Sequence, residues 1–570
     1  MRAKNSILIG QILIDEGLIT SEQLEKGLIE QKKTGDFICA TLIKLGLLDE
    51  EKALATLARQ LNIPYVRLRD KIIDPAIIKN VPAKFASHYE IIPLELHNNT
   101  LIIAMADPLD TRILDDIRLL LGLEVKGVLA SGAEIKEAIR KHYGLGADTI
   151  EQMVSEKSSL PQLNLEAQRT EDLEVLVEDA SIIKFVNQLI QESIKEMATD
   201  IHLEPFQNEL RTRFRIDGLL YNIHTPESIK YFHPAIVSRI KIMAHMNIAE
   251  RRLPQDGRIR IKLEENELDL RVSTIPTAFG EAVHIRILSP QFFLELEKLG
   301  LLAEDFSLIE KLIEKPHGII FVTGPTGSGK STTLYACLAK INKTQVKIIT
   351  IEDPIEYQLR GVNQIQINPK IGLNFATGLR HMLRHDPDVM MVGEVRDFET
   401  AEIAIRAALT GHLVFSTLHT NNAAGAVTRL LDMNIEPFLV SSSVECLIAQ
   451  RLVRLICPKC KTPVNNPKEI IERMKKDLDF EASNLTLYEG KGCQDCRFTG
   501  YHGRTGIYEI ISVTEPIREL ILKRGSSQQI KQQAILEGMR TLRQDGIRKV
   551  ILGLTTFAEV MRLTQQEELS

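Results

Sequence analysis

Nine consecutive residues, Gly324, Pro325, Thr326, Gly327, Ser328, Gly329, Lys330, Ser331 and Thr332, contain the spacing G-x-x-x-x-G-K-[ST]. Glycines at those places let successive backbone N–H groups turn inward on phosphate oxygens. Lys330 can then reach the β and γ phosphates of a nucleotide, and Ser331 can hold Mg²⁺. The loop follows an apolar run ending at Thr323 and precedes a helical pattern from Ser331 to Asn342, the strand and helix such a loop requires. A glycine-rich connection with no ligand is the competing reading, and the agreement at every defined position argues against it.

Hydrolysis of a bound triphosphate needs an acid near the metal and a group that orients water. The run Val389–Glu394 delivers Glu394 at its carboxyl end as the candidate base, while Asp388 could equally cap that strand. Glu352, Asp353 and Glu356 follow another apolar run, where solvation competes with a metal-side position. His412 and His419 flank the run Leu413–Leu418, and at least one of them is expected to sense a γ-phosphate.

Cys457 with Cys460 and Cys493 with Cys496 form two CxxC pairs separated by residues 461–492. Four thiolates close a tetrahedral shell and leave no open position, so the expected Zn²⁺ is structural. A redox pair would need one CxxC opening a helix after a strand, which this bracketing of a polar insertion does not offer. Cys39, Cys337 and Cys446 sit in apolar patterns as small core residues.

These groups need several domains to carry them. At about 150 residues per domain, 570 residues suggest three to four. Seventy Lys and Arg against 76 Asp and Glu, with 44% hydrophobic and 26% charged residues, exclude disorder and collagen-like repetition. A net charge of -6, no Trp and 5% aromatics lack the basic face and stacking surfaces of a nucleic-acid translocase. No run approaches the roughly 18 apolar residues of a membrane span. Asp15 and Glu16 directly after SILIGQILI read as folded helix rather than a secretory signal. Seven cysteines, four of them in pairs, fit a reducing, cytoplasmic setting.

Residues 8–31 and 37–60 align as two paired-helix repeats, matching Gly17 with Gly46 and capped at Thr20 and Asp49, within a module over 1–61. Short apolar runs over 62–143 suggest a small α+β unit, and the polar, acidic stretch 144–175 reads as a linker. Over 176–290 a helix from Ile182 to Met197 precedes alternating runs at 211–217, 257–263, 268–274 and 282–288, a second α+β domain. Residues 291–570 alternate buried-strand runs (318–323, 347–353, 389–394 and 413–418) with helical patterns. The expected fold is therefore α/β with a parallel sheet and the nucleotide at its carboxyl edge.

The set GPTGSGKST, IEDPIEY, RHDPDVMMVGE and TGHLVFSTLHTN resembles the Walker A, Asp box, Walker B and His box of the type II secretion and type IV pilus ATPase family. ATDIHLEP, RFRIDG, RRLPQDGRI and GCQDCRFTGYHGRTGIYEI extend the likeness over about 180–560. The resemblance implies a RecA-like core and a Mg²⁺-dependent ATPase working as a homohexameric motor. It assigns Arg271 and Arg286 to phosphate contact from the preceding domain, Glu356 to the acid nearest the chemistry, and His419 to the more critical histidine. EDPIEYQL, QINPKIGLNFA and LLDMNIEPFLV look more like the type II secretion branch than the pilus-extension branch, which is the alternative. The retraction branch is disfavoured because it generally lacks the long N-terminal region and the tetracysteine insertion. A nucleotide-dependent assembly switch that turns over too slowly to be a motor is a further alternative.

The repeats at 8–60 resemble an MshEN-type module, which in other members binds cyclic di-GMP through motifs beginning Arg-Leu-Gly. Here the triplets are Leu8-Ile9-Gly10 and Phe37-Ile38-Cys39, so the planar donors are missing and weak or absent dinucleotide binding is expected. The partner implied for the module is an inner-membrane platform protein, which would hold the ATPase at the membrane.

Overall fold

The computed structural model describes residues 10–34, 38–61, 63–106, 111–158, 180–263, 266–288, 295–478, 480 and 485–564. The chain divides into two compact units, Met1–Arg260 with Leu270–Ile287, and Ile261–Asp269 with Leu288–Ser570. Among the described residues no helix is long and apolar enough to cross a membrane.

The first unit begins with the paired-helix repeats. Helices Ser21–Thr34, Ile38–Lys44 and Glu50–Leu61 enclose Leu13, Leu24, Ile38, Leu42 and Ala53. Thr20 Oγ1 accepts the Gln23 N–H at 3.3 Å while Gln23 Oε1 accepts the Thr20 N–H at 2.8 Å, a reciprocal cap. Asp49 Oδ1 accepts the Lys52 N–H at 3.1 Å in the second copy. Of the two triplets, Leu8, Ile9 and Phe37 lie outside the described residues. Gly10 is a packing position, because a Cβ there would fall 2.5 Å from Leu24 Cδ1.

Strands β1 (Ile91–His97), β2 (Thr100–Met105) and β3 (Glu124–Leu129) form a three-stranded sheet, with β1 antiparallel and β3 parallel to β2. The chain then departs from the expected linker. Ala147–Ser158 is a helix with Ala147, Ile150 and Met153 buried. Glu151 accepts the N–H groups of Ala83 at 3.2 Å and Lys84 at 2.9 Å. Its apolar edge is one residue per turn, too narrow to offset a polar composition, so composition alone hides it. The rest of the expected linker, from residue 159 on, lies outside the described residues.

Helix Ala180–Lys195 leads into a six-stranded sheet of β4 (Asp200–Pro205), β5 (Leu210–Ile216), β6 (Leu219–Ile223), β7 (Gln255–Leu263), β8 (Asn266–Thr277) and β9 (Gly280–Leu288), in the order β6-β5-β4-β9-β8-β7. Strict alternation gives it two faces. Ile201, Leu203, Phe214, Leu270, Val272, Val283 and Ile285 are buried on one. His202, Arg213, Arg215, Arg271, His284 and Arg286 occupy the other.

In the second unit, β10 (Gly318–Thr323), β11 (Ile348–Glu352), β12 (Asn363–Gln366), β13 (Val389–Val392), β14 (Leu413–Leu418) and β15 (Val444–Ile456) run parallel in the order β12-β11-β13-β14-β10-β15. A long antiparallel strand, β18 (Tyr501–Ser512), completes the sheet beside β15. Between these two, β16 (Lys461–Pro463) and β17 (Tyr488–Gly490) pair within the cysteine-bearing insertion. Strands β10, β11, β13 and β14 are buried along their whole length, as a parallel sheet covered on both faces requires.

Candidate active site and metal centre

Register decides which residues meet at the carboxyl edge. Ile351 lies opposite Val392, Val392 opposite Ser416, Thr323 opposite Leu418, and Thr323 on its other side opposite Ala449. Each chain continues past that line. Glu352, Glu394, His419, Gly324 and Gln450 are therefore delivered to neighbouring places, in the crevice where open α/β sheets bind ligands.

Gly324 must be glycine because a Cβ would fall 2.6 Å from Gln450 O and 2.7 Å from Ser328 Oγ. Helix Lys330–Ile341 starts directly from the loop, placing its N-terminal partial positive charge at the crevice. Lys330 Nζ donates to Gly324 O at 2.8 Å and Pro325 O at 3.2 Å, so its side chain arcs back over the loop. Burial holds its ammonium below the usual range, the Glu394 charge opposes that, and Arg451 adds to it. Pro325, Thr326, Gly327 and Ser331 are exposed. Ser328 Oγ is buried and has no hydrogen bond among the described residues. A buried, orphaned hydroxyl in a glycine-rich loop at a helix start is what a bound phosphate would satisfy, so the loop fits the ligand its motif implies.

Glu394 is largely buried. Its Oε2 accepts from Arg396 Nε at 2.7 Å and lies 3.3 Å from His419 Nε2. Three bonds fasten this turn to β14: Val395 N–H to Thr417 O at 3.0 Å, Thr417 Oγ1 to Gly393 O at 2.7 Å, and Ser416 Oγ to Val392 O at 2.8 Å. Thr323 ties the His419 turn to the phosphate loop strand, its Oγ1 accepting the Thr420 N–H at 2.9 Å. The edge thus unites Lys330, Glu394 and His419.

The acids after β11 divide. Glu352 is buried and occupied, accepting from Tyr335 Oη, from Thr350 Oγ1 at 2.5 Å and from Gln364 Nε2 at 3.1 Å. Glu356 stands beyond it on the half-buried loop, its N–H donating to Tyr335 Oη at 3.1 Å. Asp388 caps the opposite end of the sheet, accepting the Lys347 N–H at 2.7 Å. His412 is a correction. It precedes β14, its carbonyl accepts the Gly318 N–H, and its Nδ1 faces Ala407 O at 2.9 Å. The six residues of β14 carry the chain about 20 Å, so His412 and His419 lie at opposite edges and only His419 reaches the site.

Arg271 and Arg286 share the polar face of the first unit's sheet. Gln450 and Arg451 were not anticipated. Gln450 Oε1 accepts from Thr333 Oγ1 at 2.7 Å, and Arg451 donates to Gln450 O at 3.0 Å and Asn421 O at 2.7 Å. Polar residues interrupt the apolar run of β15, which removes the signal that exposes the other parallel strands.

In the insertion, Cys457 Sγ lies 3.7 Å from Cys493 Sγ, and Cys496 Sγ lies 3.7 Å from both Cys460 Sγ and Cys493 Sγ. All four fall within 4.8 Å of one another. A tetrahedron with Zn–S arms of about 2.3 Å has edges of about 3.8 Å, so these donors fit zinc. Cys496 Sγ also accepts the Cys493 N–H at 3.1 Å and the Gly500 N–H at 3.3 Å, bonds that favour thiolate.

Comparison with known proteins bears on both units. The profile of the family described as Type II/IV secretion system protein matches residues 175–562. The MshEN domain profile matches 61–149, so that likeness falls on the α+β unit and not on the repeats at 1–61. The chain is 43% identical over 558 residues to the type IV pilus assembly ATPase PilB of Myxococcus xanthus, covering 97% of this chain and 98% of that one. It is 50% identical over 399 residues to the type II secretion system protein E of Pseudomonas aeruginosa, covering 70% and 78%. The X-ray structure of the Legionella pneumophila ATPase DotB superposes with a TM-score of 0.50 at 21% identity, over 67% of this chain and 96% of that chain, a likeness of fold.

Proposed function

The chain belongs to the type II/IV secretion system protein family and is a secretion or pilus-assembly ATPase, and from that premise we propose a Mg²⁺-dependent homohexameric motor driving type II secretion. What supports this reading is the single edge that unites the phosphate loop with the Glu394–His419 pair at 3.3 Å.

In the proposed reaction the loop N–H groups and Lys330 bind the triphosphate, Lys330 exchanging its carbonyl partners for phosphate oxygens. Ser331 would hold Mg²⁺, which when bound neutralises charge on the β and γ oxygens. Glu394 orients the attacking water and accepts its proton, and His419, against the same carboxylate, reports on the γ-phosphate. Glu356 lies on the loop beyond β11 as the second acid. Arg271 and Arg286 contribute positive charge from the first unit. Loss of the γ-phosphate releases them, which turns hydrolysis into domain motion.

Cys457, Cys460, Cys493 and Cys496 would hold a structural Zn²⁺. The proposed setting is cytoplasmic, peripheral at the inner membrane through platform proteins, with cyclic di-GMP binding weak or absent at the repeats. Identity of 50% to a type II secretion system protein E over 399 residues favours the secretion branch. The near full-length match to a pilus assembly ATPase favours the second reading, pilus extension. Complementation of a secretion-null and a pilus-null strain separates them.

Glu394→Gln tests the chemistry. Removal of a general base costs on the order of 10²- to 10⁴-fold, so phosphate release by the hexamer should fall by at least the lower bound while nucleotide still binds. Wild-type turnover in that variant would sink the assignment.

A further inference from the structure

Arg286 projects from the polar face of β9 with its side chain half-exposed. Among the described residues its guanidinium donates through Nε alone, to Asp200 Oδ1 at 3.0 Å. The terminal amino groups of the fork are left for another acceptor. Asp200 lies directly across the strand pair from Arg286 on one side and from Arg215 on the other. It is buried, and its two oxygens divide their work. Oδ1 takes Arg286 Nε and His284 Nε2, the latter at 2.9 Å, while Oδ2 takes Thr199 Oγ1 at 2.8 Å and faces Arg215 Nε at 3.7 Å.

The carboxylate is itself held rigidly. Thr199 bridges the strands on both sides, its N–H donating to Arg215 O at 2.8 Å and its O accepting the Ile287 N–H at 2.9 Å. Burial pushes the Asp200 carboxyl up, but the bonds from His284 and Thr199 and the Arg286 charge outweigh it and leave the group ionised. An ionised carboxylate gripping the Nε edge of an arginine fixes its plane, so the opposite edge is presented in one orientation.

We propose that Asp200 is the positioning residue of Arg286, clamping its Nε so that the two Nη groups meet phosphate oxygens in a set orientation. This rests on the reading that Arg286 contacts the nucleotide. Preorganised donors act without reorganising during the reaction, and misplacement by about 1 Å costs on the order of 100-fold. Asp200 then affects turnover only through Arg286.

The test is a double-mutant cycle in the full-length hexamer, with phosphate release and binding of a fluorescent ATP analogue as readouts. Arg286→Gln should lower kcat by about 10³-fold or more, the loss expected of an arginine finger. Asp200→Asn, nearly isosteric, should lower kcat by on the order of 10- to 100-fold with KM and analogue affinity changed less than about threefold. The double variant should be no slower than Arg286→Gln alone. If Asp200→Asn does not fold, Asp200→Glu keeps the charge, displaces it by one methylene, and is expected to follow the same pattern. Wild-type turnover in Arg286→Gln overturns the role of that arginine, and the clamp with it. An impaired Arg286→Gln beside a wild-type Asp200→Asn overturns the clamp alone, as do losses that multiply in the double variant.

Discussion

Replacing Thr323 by Val should uncouple nucleotide binding from turnover. Thr323 is fully buried at the end of β10. Its Oγ1 accepts the Thr420 N–H at 2.9 Å and lies 2.6 Å from Thr420 Oγ1, 3.0 Å from Thr420 O and 3.1 Å from Leu418 O. A hydroxyl carries one proton, so valine deletes at least one donated and one accepted bond. The lost donation is worth about 1 kcal/mol and the orphaned Thr420 N–H about 1 to 3 kcal/mol, together about 2 to 4 kcal/mol. The methyl that replaces Oγ1 would also sit about 1 Å inside the roughly 3.5 Å contact distance of carbon, pushing the turn outward. That turn carries His419, which is 3.3 Å from Glu394. A shift of this size costs on the order of 10- to 100-fold in kcat.

Steady-state phosphate release, analogue binding and thermal melting read the three consequences. Turnover and melting temperature fall, while nucleotide Kd stays within about threefold because the hydrogen bonds of Thr323 Oγ1 go to Leu418 and Thr420 and not to the phosphate loop. Thr323→Ser is the control, since it keeps both hydrogen bonds and loses one methyl, about 1 kcal/mol. Wild-type kcat in Thr323→Val would refute the coupling. Equal losses in the Val and Ser variants would place the effect in packing instead.

Two further outcomes follow from the geometry. The purified chain should carry one zinc, and Cys493→Ser should lose it and melt lower while still binding nucleotide; elemental analysis showing no zinc in the wild-type protein would contradict the assignment. Burial lowers the pKa of His233, although its bond to Glu281 O at 2.9 Å opposes the shift. The unfolded chain therefore binds the proton first, and stability should decline as pH falls below about 6.5 toward the folded value. Melting curves between pH 7.5 and 5.5 read this slope, which His233→Gln should flatten.

Contiguous chemistry proved readable. The phosphate loop, its helix from Lys330 and each CxxC pair lie within short stretches, so their spacing is legible along the chain. Strands β10, β11, β13 and β14 were visible as apolar runs because a parallel sheet buries both faces. Strand β15 was not, since Gln450 and Arg451 interrupt its run to serve the loop. The helix Ala147–Ser158 was hidden by composition, its buried apolar residues Ala147, Ile150 and Met153 too sparse to outweigh the polar ones around them.

By itself the sequence determined a glycine-rich loop of phosphate-binding spacing, a carboxylate at the end of a strand and two CxxC pairs, because each is written in residues close together along the chain. Tertiary structure decided which of them meet. His412 and His419 share one short motif, yet an extended strand separates them by the height of the sheet, while Glu394 and His419, 25 residues apart, touch because β13 and β14 are neighbours. Asp200 and Arg286, 86 residues apart, are joined the same way across β4 and β9. Strand order comes from long-range burial of apolar faces, and no local spacing encodes it.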